Sequence, residues 1–140
     1  MFPAFDDCRV TRSCVRSRAP NVIASLGNRL GSILRRLRAE APGARIIVTG
    51  AWNFDPDRLW LTNVLYHPLN RAIANAAAAA KARFANVLPR FNPKGSAAAQ
   101  KARLCAYTFI CSKGDLHPTD AGYRAIAAAV LGVSGYGRGG

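Results

Sequence analysis

Acidic side chains are scarce in this 140-residue chain: Asp and Glu number 7 against 20 Lys and Arg, a formal net charge of +13 at pH 7. A field of that size attracts polyanions whatever the fold beneath it. What reads nucleic acid is missing, however, because there is no recognition motif and the aromatics are not interleaved with the basic residues. No specific nucleic-acid partner is therefore expected. Long apolar runs are also lacking. Hydrophobic residues make up 50% of the chain, yet none of their runs approaches the roughly 20 residues of a membrane span. The start, MFPAFDDCRV, carries an acidic pair and no apolar core, so no secretory signal is read there, and any export signal is expected to have been removed or left out. Residues 1–140 show no repeat and no linker, and a single domain with its own core is expected.

The 4 cysteines form two pairs of equal spacing, Cys8 with Cys14 and Cys105 with Cys111, each in a polar, loop-like segment. Local pairing is the simplest reading, although four cysteines allow three connectivities and sequence does not choose among them. Two disulfides would place the protein in an oxidising compartment, secreted or periplasmic. Each short loop would contribute about 2 kcal/mol. Metal binding is the competing reading, but five intervening residues exceed the two to four usual between zinc-binding cysteines.

Along the chain, APNVIASLGNRLGSILRRLRAEAPG places Val22, Ile23, Leu26, Leu30, Ile33, Leu34 and Leu37 on one face at helical spacing, and Pro42 and Gly43 stop the helix. Ile46, Ile47 and Val48 then read as a strand buried on both faces. After a loop from Asn53, LNRAIANAAAAAKARF predicts an alanine-rich second helix and FANVLPRF a second strand. A short helix is expected around 97–102. The last helix begins near Thr119 or Asp120, either of which can cap it, with Tyr123, Ile126, Ala127 and Val130 on its apolar side. Residues 132–140, GVSGYGRGG, read as a flexible glycine-rich tail. Helix, strand, helix, strand, helix implies an α/β fold with parallel strands. Two strands make a poor sheet, so the fold reads as incomplete.

One segment concentrates chemistry. KGDLHPTDAGYRAIAAAV, Lys113 to Val130, sets an aspartate, one of the chain's 2 histidines and a proline just before a helix. Pro118 pushes the preceding residue toward extended backbone, which limits where His117 can stand. With LRAEAPGARIIVTG, LNRAIANAAA and FANVLPRFN, this block resembles the C-terminal portion of the SGNH, or GDSL-type, serine hydrolases. The resemblance runs from about Cys8 to Leu131, and the looped cysteine pairs are similar to those of secreted members.

The resemblance implies a three-layer α/β/α sandwich of the flavodoxin-like type, with about five parallel strands when complete. It also implies esterase or lipase chemistry on a small-molecule acyl ester, lipid or acylated sugar, with no cofactor and no metal. His117 matches the family's general base. The family's orienting aspartate lies three residues before the histidine, where this chain has Gly114, while Asp115 lies two before. Either Asp115 reaches the ring or a backbone carbonyl orients it and Asp115 only solvates the turn. The Gly-Asp-Ser nucleophile block is missing, Gly114-Asp115-Leu116 mimics it without a serine, and there is no Gly-x-Ser-x-Gly elbow. Gly27-Asn28-Arg29 and Gly50-Ala51-Trp52-Asn53 only approach the family's oxyanion asparagine block. The sequence is thus expected to begin after that block.

His67, also followed by proline, has no acid nearby and reads as a surface or helix-start residue. Ser13, Ser17, Ser25, Ser32, Ser96, Ser112 and Ser134 include none in a strained turn after a strand. Trp52, Trp60 and Tyr66 could line an acyl pocket, but core packing is the stronger reading. Two other function classes remain open: a truncated binding module that self-associates through an exposed sheet edge, and a basic polyanion binder whose affinity falls steeply with salt.

Overall fold

The computed structural model describes residues 11–136, in which six helices surround a sheet of two parallel strands. The order is α1 (Arg12–Glu40), β1 (Ile47–Thr49), a π-helical turn (Thr62–Tyr66), α2 (His67–Ala79), β2 (Arg83–Ala85), α3 (Leu88–Phe91), α4 (Ala97–Tyr107), α5 (Ile110–Lys113) and α6 (Asp120–Ser134). Strand alternation sorts the core into layers. Val48 and Phe84 point to α1 and α2, where Leu34, Ala76, Ala77 and Ala80 are buried. Ile47 and Ala85 point the other way, onto Ala125 and Ala129 of α6. The result is mostly helical, with helices on both faces of a small parallel sheet.

The two strands pair Ile47 with Arg83, Val48 with Phe84 and Thr49 with Ala85. Arg83 N–H donates to Ile46 O and Gly50 N–H to Ala85 O, each at 2.9 Å. Because a parallel ladder alternates, these bonds turn the peptide groups of Ile47 and Thr49 to the outer edge. Among the described residues no third strand pairs with that edge. Beside it lies an apolar groove of about 760 Å³, lined by Val22, Leu26, Leu30 and Ile33 of α1 with Val48 and Ile73.

That open edge accounts for several departures from the sequence reading. β1 is only half-buried rather than covered on both faces. Leu26, Ile33 and Leu37, expected on the core face of α1, are 38%, 57% and 49% exposed, while Val15, Ala19, Gly31 and Leu34 are buried. α1 also begins at Arg12, so Cys14 and Pro20 lie inside a helix and not in a loop before it. FANVLPRF splits into β2 and the helical turn α3, because Pro89 fits the first turn of a helix better than a strand. Tyr123 and Ala127 are exposed on α6, which instead buries Gly122, Ala125 and Ala129. The last turn of α6 takes in Gly132, Val133 and Ser134 of the glycine-rich segment, and Gly135 closes it in the left-handed region at φ 74°.

Candidate active site

The loop before α6 is built from its neighbours' backbone. α5 ends at Gly114, whose φ of 65° favours glycine and turns the chain back on itself. Phe109 N–H then donates to His117 O at 3.1 Å and Thr119 N–H to Tyr107 O at 3.0 Å, flanking an antiparallel bridge between Thr108 and Pro118. Thr119 does three things: its backbone joins this bridge, its Oγ1 donates to Ala106 O at 2.8 Å, and the same oxygen caps α6 by accepting from Gly122 N–H at 3.3 Å. α6 runs antiparallel to β2, since Arg83 at the start of the strand donates from Nη1 to Val133 O at the far end of the helix, 2.6 Å away. The loop carrying His117 therefore lies toward the carboxyl end of the sheet, where open α/β folds bind ligands.

Asp115 Oδ1 accepts twice from His117, from the backbone N–H at 2.9 Å and from ring Nδ1 at 2.5 Å. The first bond closes a two-residue Asx turn, which brings the carboxylate under the ring although it sits one residue nearer than in the family's pattern. His117 N–H, then its ring, and more weakly Lys113 hold the Asp115 carboxyl below the usual carboxylate range, against a small desolvation effect. An ionised carboxylate can only accept, so Nδ1 carries the proton and Nε2 of the neutral ring keeps its lone pair. The histidine side chain is 76% exposed and the aspartate 43%. Among the described residues no serine hydroxyl hydrogen-bonds the ring. Ser112, five residues away in sequence, donates instead to Phe109 O.

The other sequence candidates have structural partners. Asn53 is fully buried; its Nδ2 donates to Arg58 O and Thr62 Oγ1, and its Oδ1 accepts from Asp55 N–H. No donor is left for an oxyanion. Asn28 is an exposed residue within α1. Trp52 stacks on Phe91 with centroids 4.3 Å apart, and Phe91 meets Tyr107 edge-on at 5.4 Å, so this aromatic chain fills the core beneath the His117 loop. Tyr66 is buried, and burial, with a smaller contribution from Asp55, pushes its hydroxyl pKa up, which keeps it neutral. Trp60 is half-buried, with the Arg12 guanidinium 5.5 Å from its ring centroid. His67 is exposed as the first residue of α2.

Three positions that sequence reasoning passed over shape the site. Asn70 accepts from Ala51 N–H at 2.8 Å and donates to Ala51 O and Tyr66 O, and a side chain on Gly50 would collide with its amide. Asn92 exchanges two hydrogen bonds with the backbone of Asn53. Gly122 has no room for a methyl group beneath Tyr107 O. Their signals were present as polar residues inside apolar segments and a glycine in the first turn of a helix where alanine would be favoured.

The Cys105–Cys111 disulfide joins α4 to α5 across a Cα separation of 5.3 Å. Its proposed counterpart, Cys8 with Cys14, involves Cys8, which lies outside the described residues. Among the described residues no His, Cys, Asp and Glu group of three or more is placed to hold a metal ion, and no helix is long and apolar enough to cross a membrane. No curated protein and no solved structure matches the chain. The sequence profile of the GDSL-like Lipase/Acylhydrolase family matches residues 6–125, a span that takes in β1, β2, the Asp115–His117 pair and the start of α6. The chain belongs to that family of hydrolases.

Proposed function

We propose that this chain carries the base of an SGNH-type serine esterase or lipase, with His117 as the base, Asp115 as its orienting partner, and the serine nucleophile and oxyanion donors outside these 140 residues. The observation that carries the reading is the ionised Asp115 on Nδ1 of an accessible imidazole, which leaves Nε2 to take a proton. In the reaction, Nε2 removes the serine proton as the serine oxygen bonds to the acyl carbon. It then protonates the departing alkoxide as the C–O bond breaks. Water repeats the cycle on the acyl-enzyme and releases the acid. The substrate is a small acyl ester of a lipid or a sugar, and the complete fold is a three-layer sandwich whose remaining strands continue the sheet from β1. The disulfide points to an oxidising compartment, so the protein is secreted or periplasmic.

p-Nitrophenyl butyrate turnover tests this. The chain alone is expected to show little or none. In any assembly that does turn over, His117→Ala is expected to lower kcat by about 10²–10⁴-fold, the range of a lost general base. Turnover that His117→Ala leaves intact overturns the assignment. The unpaired outer edge of β1 favours a second reading, in which two copies associate edge to edge.

A further inference from the structure

The contacts that hold the His117 backbone converge on the seven residues from Cys105 to Cys111, which the disulfide closes into a ring. Ala106, Tyr107 and Phe109 supply the backbone partners of Asp115, His117 and Thr119, and Thr108 forms the bridge to Pro118. Little else holds this segment. α5 is a single turn with no buried residue, and α4 buries only Leu104. Helices this short are not stable on their own. The crosslink is also reachable, since Cys111 is exposed and Cys105 half-buried.

We propose that the Cys105–Cys111 disulfide is a redox-sensitive positioning device for the Asp115–His117 pair. Closed, it fixes Thr108 and Phe109 against Pro118 and His117. Opened, it frees α5 and the segment leading to it, and the carboxylate loses its hold on the ring. A dithiol opens it in two steps: one thiolate bonds to a cysteine sulfur and expels the other as a thiol, then the second thiol closes the reductant's own disulfide and releases the first cysteine. Two electrons and two protons pass to the protein. The consequence for catalysis rests on His117 being the base; the mechanical claim does not.

The test is NMR on the isotope-labelled chain, oxidised, treated with dithiothreitol, and as the Cys105→Ser/Cys111→Ser variant, which leaves Cys8 and Cys14 untouched. Opening is expected to speed amide exchange at Phe109, Asp115 and Thr119 by about tenfold or more while amides of the α1–α2 core keep their protection. The Asp115 carboxyl carbon should titrate closer to the usual carboxylate range, a change that a merely structural crosslink would not cause, and reoxidation of the wild type should restore both. Unchanged exchange and titration overturn the proposal. So does collapse of the α1–α2 core in both the variant and the reduced protein, because the bond would then support the whole fold. Neither readout measures hydrolysis, so an inert His117→Ala variant in the ester assay refutes the base assignment and leaves the clamp standing.

Discussion

A methyl group on Gly122 would run into the carbonyl oxygen of Tyr107 and lie 2.9 Å from Pro118 Cβ. Both neighbours belong to the bridge that carries His117, and neither is the free end of a flexible side chain. Gly122→Ala is therefore expected to destabilise the protein by about 1–3 kcal/mol, the usual penalty of overpacking, although alanine is the better helix former by about 1 kcal/mol. Urea unfolding measures the loss, and a variant as stable as the wild type would mean the bridge yields at no cost. The carboxylate beside it makes a prediction in pH. Asp115 titrates lower in the folded chain than in the unfolded one, so its contribution is present above the usual carboxylate range and is lost as pH falls through the folded value. The exchange rate of the His117 amide should rise on that descent, beyond its intrinsic pH dependence, and Asp115→Asn should abolish the transition. At this scale the sequence identified the right histidine, because His-Pro before a helix cap is a local pattern. It left Asp115 between two readings, since reach across an Asx turn depends on backbone angles, and it passed over Gly122, whose constraint comes from a carbonyl fifteen positions earlier in the chain.

Between elements, Arg38 does the work of a crosslink without a covalent bond. Its guanidinium donates to Ala80 O and Lys81 O past the end of α2 and to Pro42 O and Ala44 O in the turn before β1, over distances of 2.7–3.2 Å. One planar fork thus satisfies carbonyls at the ends of two helices and in a connecting turn. Arg38→Ala should cost about 1.5–3 kcal/mol, as for hydrogen bonds to a charged group. Arg38→Lys should recover only part of it, because a single ammonium cannot span four carbonyls. Chemical denaturation of both variants checks the order. Hydrophobic spacing placed α1, α2 and α6, yet could not tell that Arg38 faces inward while Leu37 is exposed. It also ended α1 too late at its start, because Pro20 reads as a boundary when it is an exposed position within the helix. The π-helical turn before α2 left no signature of its own. His67 N–H donates to Thr62 O, five residues back, immediately before Pro68, which has no N–H to give.

For the molecule as a whole, the short sheet and the excess of positive charge pull in opposite directions. The peptide groups of Ile47 and Thr49 and the groove beneath α1 offer a strand-sized interface. Each copy carries +13, however, and the ion pairs among the described residues are few: Arg58–Asp55, Lys101–Asp57 and the exposed His117–Asp115 pair. Two such chains repel across the Debye length of about 8 Å at physiological salt, which shrinks to about 3 Å at 1 M. If copies pair through the β1 edge, the dimer fraction in sedimentation velocity should rise with salt, and Thr49→Pro, which removes an outward N–H from the edge, should suppress it. A polyanion binder shows the opposite sign, with heparin or DNA released as salt rises because counterions compete for the same arginines. A monomer at every salt concentration would exclude the edge-to-edge pair, and the β1 edge would then be an edge that a further strand of the hydrolase fold covers.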